Sequence, residues 1–251
     1  MAGNNPIQVA DRLFGAVELL SGEGALGLAE IAQRLALNKS TAHRVLQSLQ
    51  YLGYVRQEPD GRYTMSYKLV GLASQIISQS DTVAIVHPFL RSLMERTGET
   101  VHFVRREGTR CVYIDKVESN RNTVQMVSRV GSSIAMYCSG VGKAIAADLP
   151  DEEIRLLWES SEVSPITAKT ITNFDKFMEV IGAIRKQGYA LDDEENELGV
   201  RCVAASLPAV PMGGQYAMSI SAPIGRMEDD RIRELAADLM AVKAEIKAIF
   251  S

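Results

Sequence analysis

Ser40, His43, Arg44 and Gln47 follow one another at spacings of three, one and three, and Tyr51 comes four residues later. Wound at about 100° per residue, all five fall on one side of a helix, and all can donate hydrogen bonds. Ala42, Val45, Leu49 and Leu52 fall on the other side within a wedge of about 80°, with Leu46 at its edge. That apolar stripe is expected to be buried. Ser, His, Arg and Gln on one helical face suit phosphate oxygens and base edges in a DNA major groove. Asn38 is a good N-cap, and Lys39, Ser40 and Thr41 follow it in the first turn. A lysine and unpaired backbone N–H groups would converge there, where a phosphate could sit. The plainer reading is a helical hairpin whose polar face is simply wet.

The neighbouring elements favour the DNA reading. Leu28 to Leu35 is a first apolar-periodic run, split from the second by the turn Ala36-Leu37-Asn38. After Gly53, Tyr54-Val55-Arg56 reads as a short strand, Pro59-Asp60-Gly61 as a turn and Arg62-Tyr63-Thr64-Met65 as a returning strand. A hairpin directly after a recognition helix is a wing, with Arg56 and Arg62 on its strands placed for the backbone or minor groove. Ile7 to Leu20, with Leu13, Val17 and Leu20 on one side, supplies a third helix. The unit is complete by about Ser66.

Charge limits how such a unit could work. The 251-residue chain has a net charge of −4, and residues 1–66 hold six Lys/Arg against six Asp/Glu. Affinity for DNA must then come from local placement and from dimerisation, and it should fall steeply with salt. Hydrophobic content of 46% with 23% charged residues is that of an ordinary globular protein. No apolar run approaches the ~18 residues that would span a bilayer, so no membrane partner is expected. The start, MAGNNPIQVADR, lacks the features of a signal peptide. Cys111, Cys138 and Cys202 are far apart and form no C-x-x-C pair, which points to a reducing cytoplasm without disulfides or a zinc site. Neither a metal nor a cofactor is expected.

Beyond the wing, Met65, Leu69, Leu72 and Ile76 form a short a/d seam on a linker helix over roughly Tyr67–Gln79. The seam could pack against a partner copy or against its own chain. Residues 78–81 read as a linker, and a helix starts at Asp81-Thr82 and runs to about Arg96. Residues 1–66 are thus a DNA-binding domain, 67–81 a linker helix and 82–251 a second domain. In that second domain strands are expected at Thr100–Arg105, Arg110–Val117, Thr123–Val127, Val200–Leu207 and Tyr216–Ala222. Helices are expected at Ser139–Asp148, Asp151–Glu159, Asn173–Gln187 and Asp229–Phe250. This order suggests an α+β chain whose second domain is a mainly antiparallel sheet with helices packed on it.

Four features there could carry chemistry. Ser139-Gly140-Val141-Gly142-Lys143-Ala144 fails as a P-loop, because Tyr137 stands where its first glycine belongs and Ala144 where its hydroxyl residue belongs. What survives is a helix start whose glycines could let a carboxylate or phosphate approach, or a plain helix start against the sheet. Asp192-Asp193-Glu194-Glu195-Asn196-Glu197 is either a solvated loop or a loop with one carboxylate, Asp192, turned toward a ligand hydroxyl. Ala217, Ser219 and Ser221 share one face of a strand, which could be the floor of a polar pocket or simply face solvent. Cys202, in an apolar strand, reads as an inert core thiol.

Together these segments resemble the IclR family of bacterial transcriptional regulators, over about Val9 to Lys247. The resemblance rests on LNKSTAHRVLQSLQYLGYV with its wing, SGVGKA, GYALDDEENELGVRCVAA and SISAPIGRMEDDR, in that order. It departs at Pro208-Ala209, where an aromatic and an acidic residue are usual. The resemblance implies a winged helix–turn–helix, a linker helix and a GAF-like α/β effector-binding domain. It also implies a homodimer or dimer-of-dimers tetramer on palindromic double-stranded DNA, more often repressing than activating, and answering a small carboxylate. By motif position, Gly140 and Val141 would offer backbone N–H groups to that carboxylate. Asp192, Cys202, Ser219 and Ser221 would line the polar side, and Met126, Ile134 and Val200 the apolar wall. A sugar acid or keto acid is the expected effector. The Asp81–Arg96 helix and the linker helix would transmit its binding. Two other readings stay open: a DNA-binding oligomer without an effector, and an enzyme in which Cys138 or Cys202 works with His102.

Overall fold

The computed structural model describes residues 6–78, 81–119, 128–207 and 213–249, and the chain divides into two compact units between residues 80 and 81. The first unit holds helices α1 (Gln8–Glu23), α2 (Leu28–Arg34) and α3 (Lys39–Tyr51), the hairpin strands β1 (Val55–Gln57) and β2 (Tyr63–Met65), and helix α4 (Lys68–Ser78). Ala16 and Leu20 of α1, Ile31 of α2 and Val45, Leu46 and Leu49 of α3 pack with Val55 and Tyr63 of the hairpin into one core. Leu26 exchanges backbone hydrogen bonds with Tyr63 at 3.0 and 2.8 Å, so the hairpin gains a third extended segment.

The apolar stripe of α3 differs in one position from expectation. Leu46 is fully buried, whereas Leu52 is 47% exposed. The helix ends at Tyr51, Leu52 only caps it, and Gly53 at φ 79° turns the chain away before another helical turn can bury Leu52. Burial of a leucine such as Leu46 contributes about 1.5–3 kcal/mol.

The second unit begins with α5 (Asp81–Thr97) and is built on β3 (Thr100–Glu107), β4 (Arg110–Val117), β5 (Ser133–Ala135), β6 (Ala190–Asp193), β7 (Val200–Ser206) and β8 (Tyr216–Pro223). These form one antiparallel sheet in the order β5-β4-β3-β8-β7-β6. Helices α6 (Gly140–Ala147), α7 (Asp151–Glu159) and α8 (Phe174–Gln187) lie between β5 and β6 in sequence, and α9 (Asp229–Ile249) closes the unit. The edge strands β5 and β6 are three and four residues long, too short to show a period of two, so no strand is expected at β5 from sequence and β6 runs into the acidic segment that reads as a loop. The strand expected at 123–127 and the departure at 208–209 lie outside the described residues.

Both faces of this sheet are covered. Val101, Phe103, Val203, Met218 and Ile220 point to a core completed by Leu90 and Leu93 of α5 and Leu235 and Leu239 of α9. Val104, Ala204, Ala217 and Ala190 point the other way, to Ile145 of α6, Ile154 of α7 and Phe177 and Ile181 of α8. Alternation along the strands puts His102, Cys202, Ser219 and Ser221 on this second face. The serine face of β8 is therefore buried, not solvent-facing.

Candidate functional site

The first unit presents a polar helix face. Asn38 Oδ1 accepts the Thr41 N–H at 2.8 Å and the Ser40 hydroxyl at 2.9 Å, fixing the start of α3. Lys39, Ser40, His43, Arg44 and Gln47 are exposed and Thr41 half-buried, opposite the buried Ala42, Val45, Leu46 and Leu49. Arg56 is exposed on β1 and pairs with Glu58 at 3.0 Å. Arg62 is exposed but precedes β2, in the turn where Glu58 N–H donates to Arg62 C=O at 2.8 Å and Asp60 accepts the Arg62 N–H at 3.0 Å. The wing thus presents one arginine from a strand and one from its turn.

The second unit contains two adjoining chambers on the serine face. The inner one, of about 50 Å³, is lined by Ile134, Asp192, Val200, Cys202 and Ser221 together with His102, Tyr113, Ser128, Asn196 and Glu197. Strand register brings the polar members together, since Asp192 is opposite Cys202 and Cys202 is opposite Ser221. His102 pairs with Ser219 on β8. Its Nδ1 lies 3.3 Å from Ser221 Oγ and 3.5 Å from Ser219 Oγ, and its Nε2 lies 2.7 Å from Ser128 Oγ. Ser219 thus supports the chamber through His102. Burial, with a smaller contribution from Lys116, pushes the imidazole down to about 3, so it is neutral. Burial pushes the Asp192 carboxyl up to about 7 against the opposing pull of Lys143. Asp192 Oδ1 accepts the Glu195 N–H at 2.8 Å.

Gly140 and Val141 are buried at the start of α6 and are not among the chamber-lining residues. A Cβ on Gly140 would lie 3.2 Å from Ala204 Cβ and 3.5 Å from the Asp192 nitrogen, and one on Gly142 would lie 2.2 Å from Met136 Cα. These glycines let the helix pack on the sheet and its neighbouring turn. Ser139 Oγ caps the helix by accepting the Gly142 N–H at 3.2 Å, which leaves the Gly140 and Val141 N–H groups without an intrahelical partner. In the turn that follows Asp192, buried Glu195 pairs with buried Lys143 of α6. Met126 lies outside the described residues.

The sequence profile described as "Bacterial transcriptional regulator IclR C-terminal" matches residues 74–248, and "IclR helix-turn-helix domain" matches residues 9–59. The chain belongs to the IclR family. It is 32% identical over 243 residues to the "HTH-type transcriptional regulator KdgR" of Escherichia coli K12, covering 94% of this chain and 90% of that protein. It is 34% identical over 229 residues to the "Transcriptional repressor IclR" of the same organism, covering 90% and 82%. The crystal structure of the Thermotoga maritima IclR matches with a TM-score of 0.84 and 32% identity over 96% of this chain and 98% of that one.

As an IclR-family member the chain is a DNA-binding transcriptional regulator, with a winged helix–turn–helix followed by an α/β domain on an antiparallel sheet, and not an enzyme. Burial pushes Cys138 up to about 12 and raises Cys202 further, so both stay protonated, and His102 carries no charge. Among the described residues no helix is long and apolar enough to cross a membrane.

Several chamber residues of this IclR-family chain escape sequence reading. His102, Tyr113 and Ser128 come from strands and a loop whose pairing with β8 and β5 decides what they face. The alternation Val101-His102-Phe103 is a signal that His102 faces away from the apolar core, but nothing in the sequence places Ser219 opposite it. Asn196 and Glu197 belong to the acidic run, where only the fold shows which side chains turn inward.

Proposed function

We propose that this regulator is an effector-responsive repressor whose second unit binds a small hydroxylated carboxylate, a sugar acid or a keto acid. The observation that carries the reading is the convergence of Ile134, Asp192, Val200, Cys202 and Ser221 on one chamber whose other walls are the polar His102, Tyr113, Ser128, Asn196 and Glu197. A buried carboxyl, a neutral imidazole and serine hydroxyls offer both donors and acceptors to ligand hydroxyls. Ser219 acts through His102, and Gly140 backs the wall at Asp192. The name of the E. coli relative "Transcriptional repressor IclR" supports the sign of regulation.

The DNA contacts proposed are Lys39, Ser40, Thr41, His43, Arg44 and Gln47 from α3 in a major groove, with Arg56 and Arg62 of the wing on flanking phosphates or the minor groove. Two copies on a palindromic site double these contacts. The exposure of Leu72 (37%), a seam residue on α4, supports a partner copy over that helix. An effector that binds one dimer arrangement better than the other shifts their populations and hence DNA affinity. The test is thermal unfolding of the full chain against a panel of sugar and keto acids. A concentration-dependent rise in Tm with one of them, lost in Asp192→Ala, is expected. No shift with any panel member would overturn the effector reading.

A further inference from the structure

The inner chamber is too small for the whole of a sugar acid. At about 50 Å³ it has room for roughly four water molecules at about 10–15 Å³ each, enough for one end group. The adjoining outer chamber, about 600 Å³, shares Tyr113, Ser128, Ile134, Asn196 and Glu197 with it and adds a separate wall. That wall carries Arg110, Tyr137, Glu162 and a series of hydroxyls from Thr109 to Ser164. Most of any effector must lie there.

Charge decides which end goes where. Among the described residues lining the two chambers, Arg110 is the one cation, against Glu162 and Glu197, while burial pushes the Asp192 carboxyl up to about 7 so that it holds its proton below that pH. A carboxylate placed in the inner chamber would face Asp192 and a neutral imidazole, with no cation on the wall. Arg110 is prepared to take it. Its Nε donates to Ser133 Oγ at 2.7 Å and its Nη2 to Ser133 C=O at 3.0 Å, which fixes the guanidinium plane. Among the described residues no carboxylate pairs with it, whereas Arg106, Arg185, Arg201 and Arg226 of the same unit each hold one. A fixed guanidinium without a counter-ion is a receptor for a carboxylate.

We propose that the outer chamber is a second effector subsite in which Arg110 receives the acid group, the ligand's hydroxylated chain running inward to Asp192 and Ser221. This rests on the effector reading and sharpens it. The ligand is a mono-acid of hexonate size or longer. A phosphorylated acid is disfavoured, because its second anionic group would meet carboxylates with no further cation on the wall.

The test is isothermal titration of the full chain and its Arg110→Gln, Arg110→Lys and Asp192→Ala variants. The probes are gluconate, galactonate, galacturonate, 6-phosphogluconate, glyoxylate and the neutral alcohol sorbitol. At least one unphosphorylated six-carbon acid should bind the wild-type chain more tightly than glyoxylate or 6-phosphogluconate. Arg110→Gln should weaken that acid at least tenfold and leave sorbitol unchanged, Arg110→Lys should lose less, and Asp192→Ala should weaken acid and alcohol alike. Equal acid affinity in wild type and Arg110→Gln, with Asp192→Ala impaired, would overturn the outer subsite and leave the effector reading standing. Glyoxylate binding as tightly as the six-carbon acids would do the same. If no probe binds the wild-type chain, both fail together.

Discussion

Lys143 of α6 donates to Glu195 Oε1 in the turn after β6, and both side chains are buried. The other oxygen of Glu195 has no hydrogen-bond partner among the described residues, and burial raises this carboxyl against the pull of Lys143. Such a pair ties helix to turn, but neither half tolerates losing the other. Lys143→Met should lower the unfolding free energy by about 3–5 kcal/mol, and Lys143→Met with Glu195→Met should recover most of that loss. Urea titration of the three proteins checks this, and a harmless single variant would contradict it.

His102 and Asp192 act on stability in opposite directions. With its carboxyl pushed up to about 7, Asp192 keeps a proton in the folded chain that the unfolded chain loses near 3.8, so its contribution falls as pH rises from about 4 to 7. With its imidazole pushed down to about 3, His102 stays neutral while the unfolded chain protonates below 6.5, so its contribution rises with pH from about 3 to 6.5. The two nearly cancel between pH 4 and 6.5. Relative to wild type, Asp192→Asn should make stability climb with pH there and His102→Asn should make it fall, each by at most about 1.4 kcal/mol per pH unit. Urea midpoints at pH 4.5, 5.5 and 6.5 measure both slopes.

The glycines of α6 should differ sharply in tolerance. A Cβ at Gly142 would overlap the backbone of Met136, which cannot move aside as a side chain would. Gly142→Ala should cost about 3 kcal/mol or leave the unit unfolded. Gly140→Ala meets only Ala204 and Asp192 at 3.2 Å and beyond, and should cost about 1 kcal/mol. Circular dichroism melts of the two variants separate these outcomes.

On the DNA face, Arg44 and Arg56 should fail differently. Arg44 projects from the middle of α3, so Arg44→Ala should remove about 1–3 kcal/mol of binding to a specific duplex and relax its sequence preference. Arg56 already pairs with Glu58, and Arg56→Ala should weaken all duplexes uniformly with a shallower salt dependence. Fluorescence anisotropy at several salt concentrations distinguishes the two, while the second unit keeps its melting transition.

How much of this was readable in the chain depends on the range of the interaction. The recognition helix was legible because Asn38, the polar face and the buried stripe are all local to one helix. Only its last apolar residue misled, since a positive-φ Gly53 ends the pattern one turn early. Asp192 and the serines of β8 were legible as candidates from period and position. His102 was named only as a partner of Cys138 or Cys202 in the enzyme reading, because its place in the chamber depends on the β3–β8 register and on Ser128 across it. The glycines before Lys143 read equally as room for a ligand or as a plain helix start, and only three dimensions show that a Cβ on Gly142 would meet Met136 and one on Gly140 would meet Ala204.

The most direct test of the account couples its two halves. A duplex selected by the full chain from a random pool is titrated with protein, with and without the acid that raises its Tm. Duplex affinity should change at least tenfold for wild type and not at all for Asp192→Ala. An acid that binds wild type tightly yet leaves duplex affinity unchanged would contradict this.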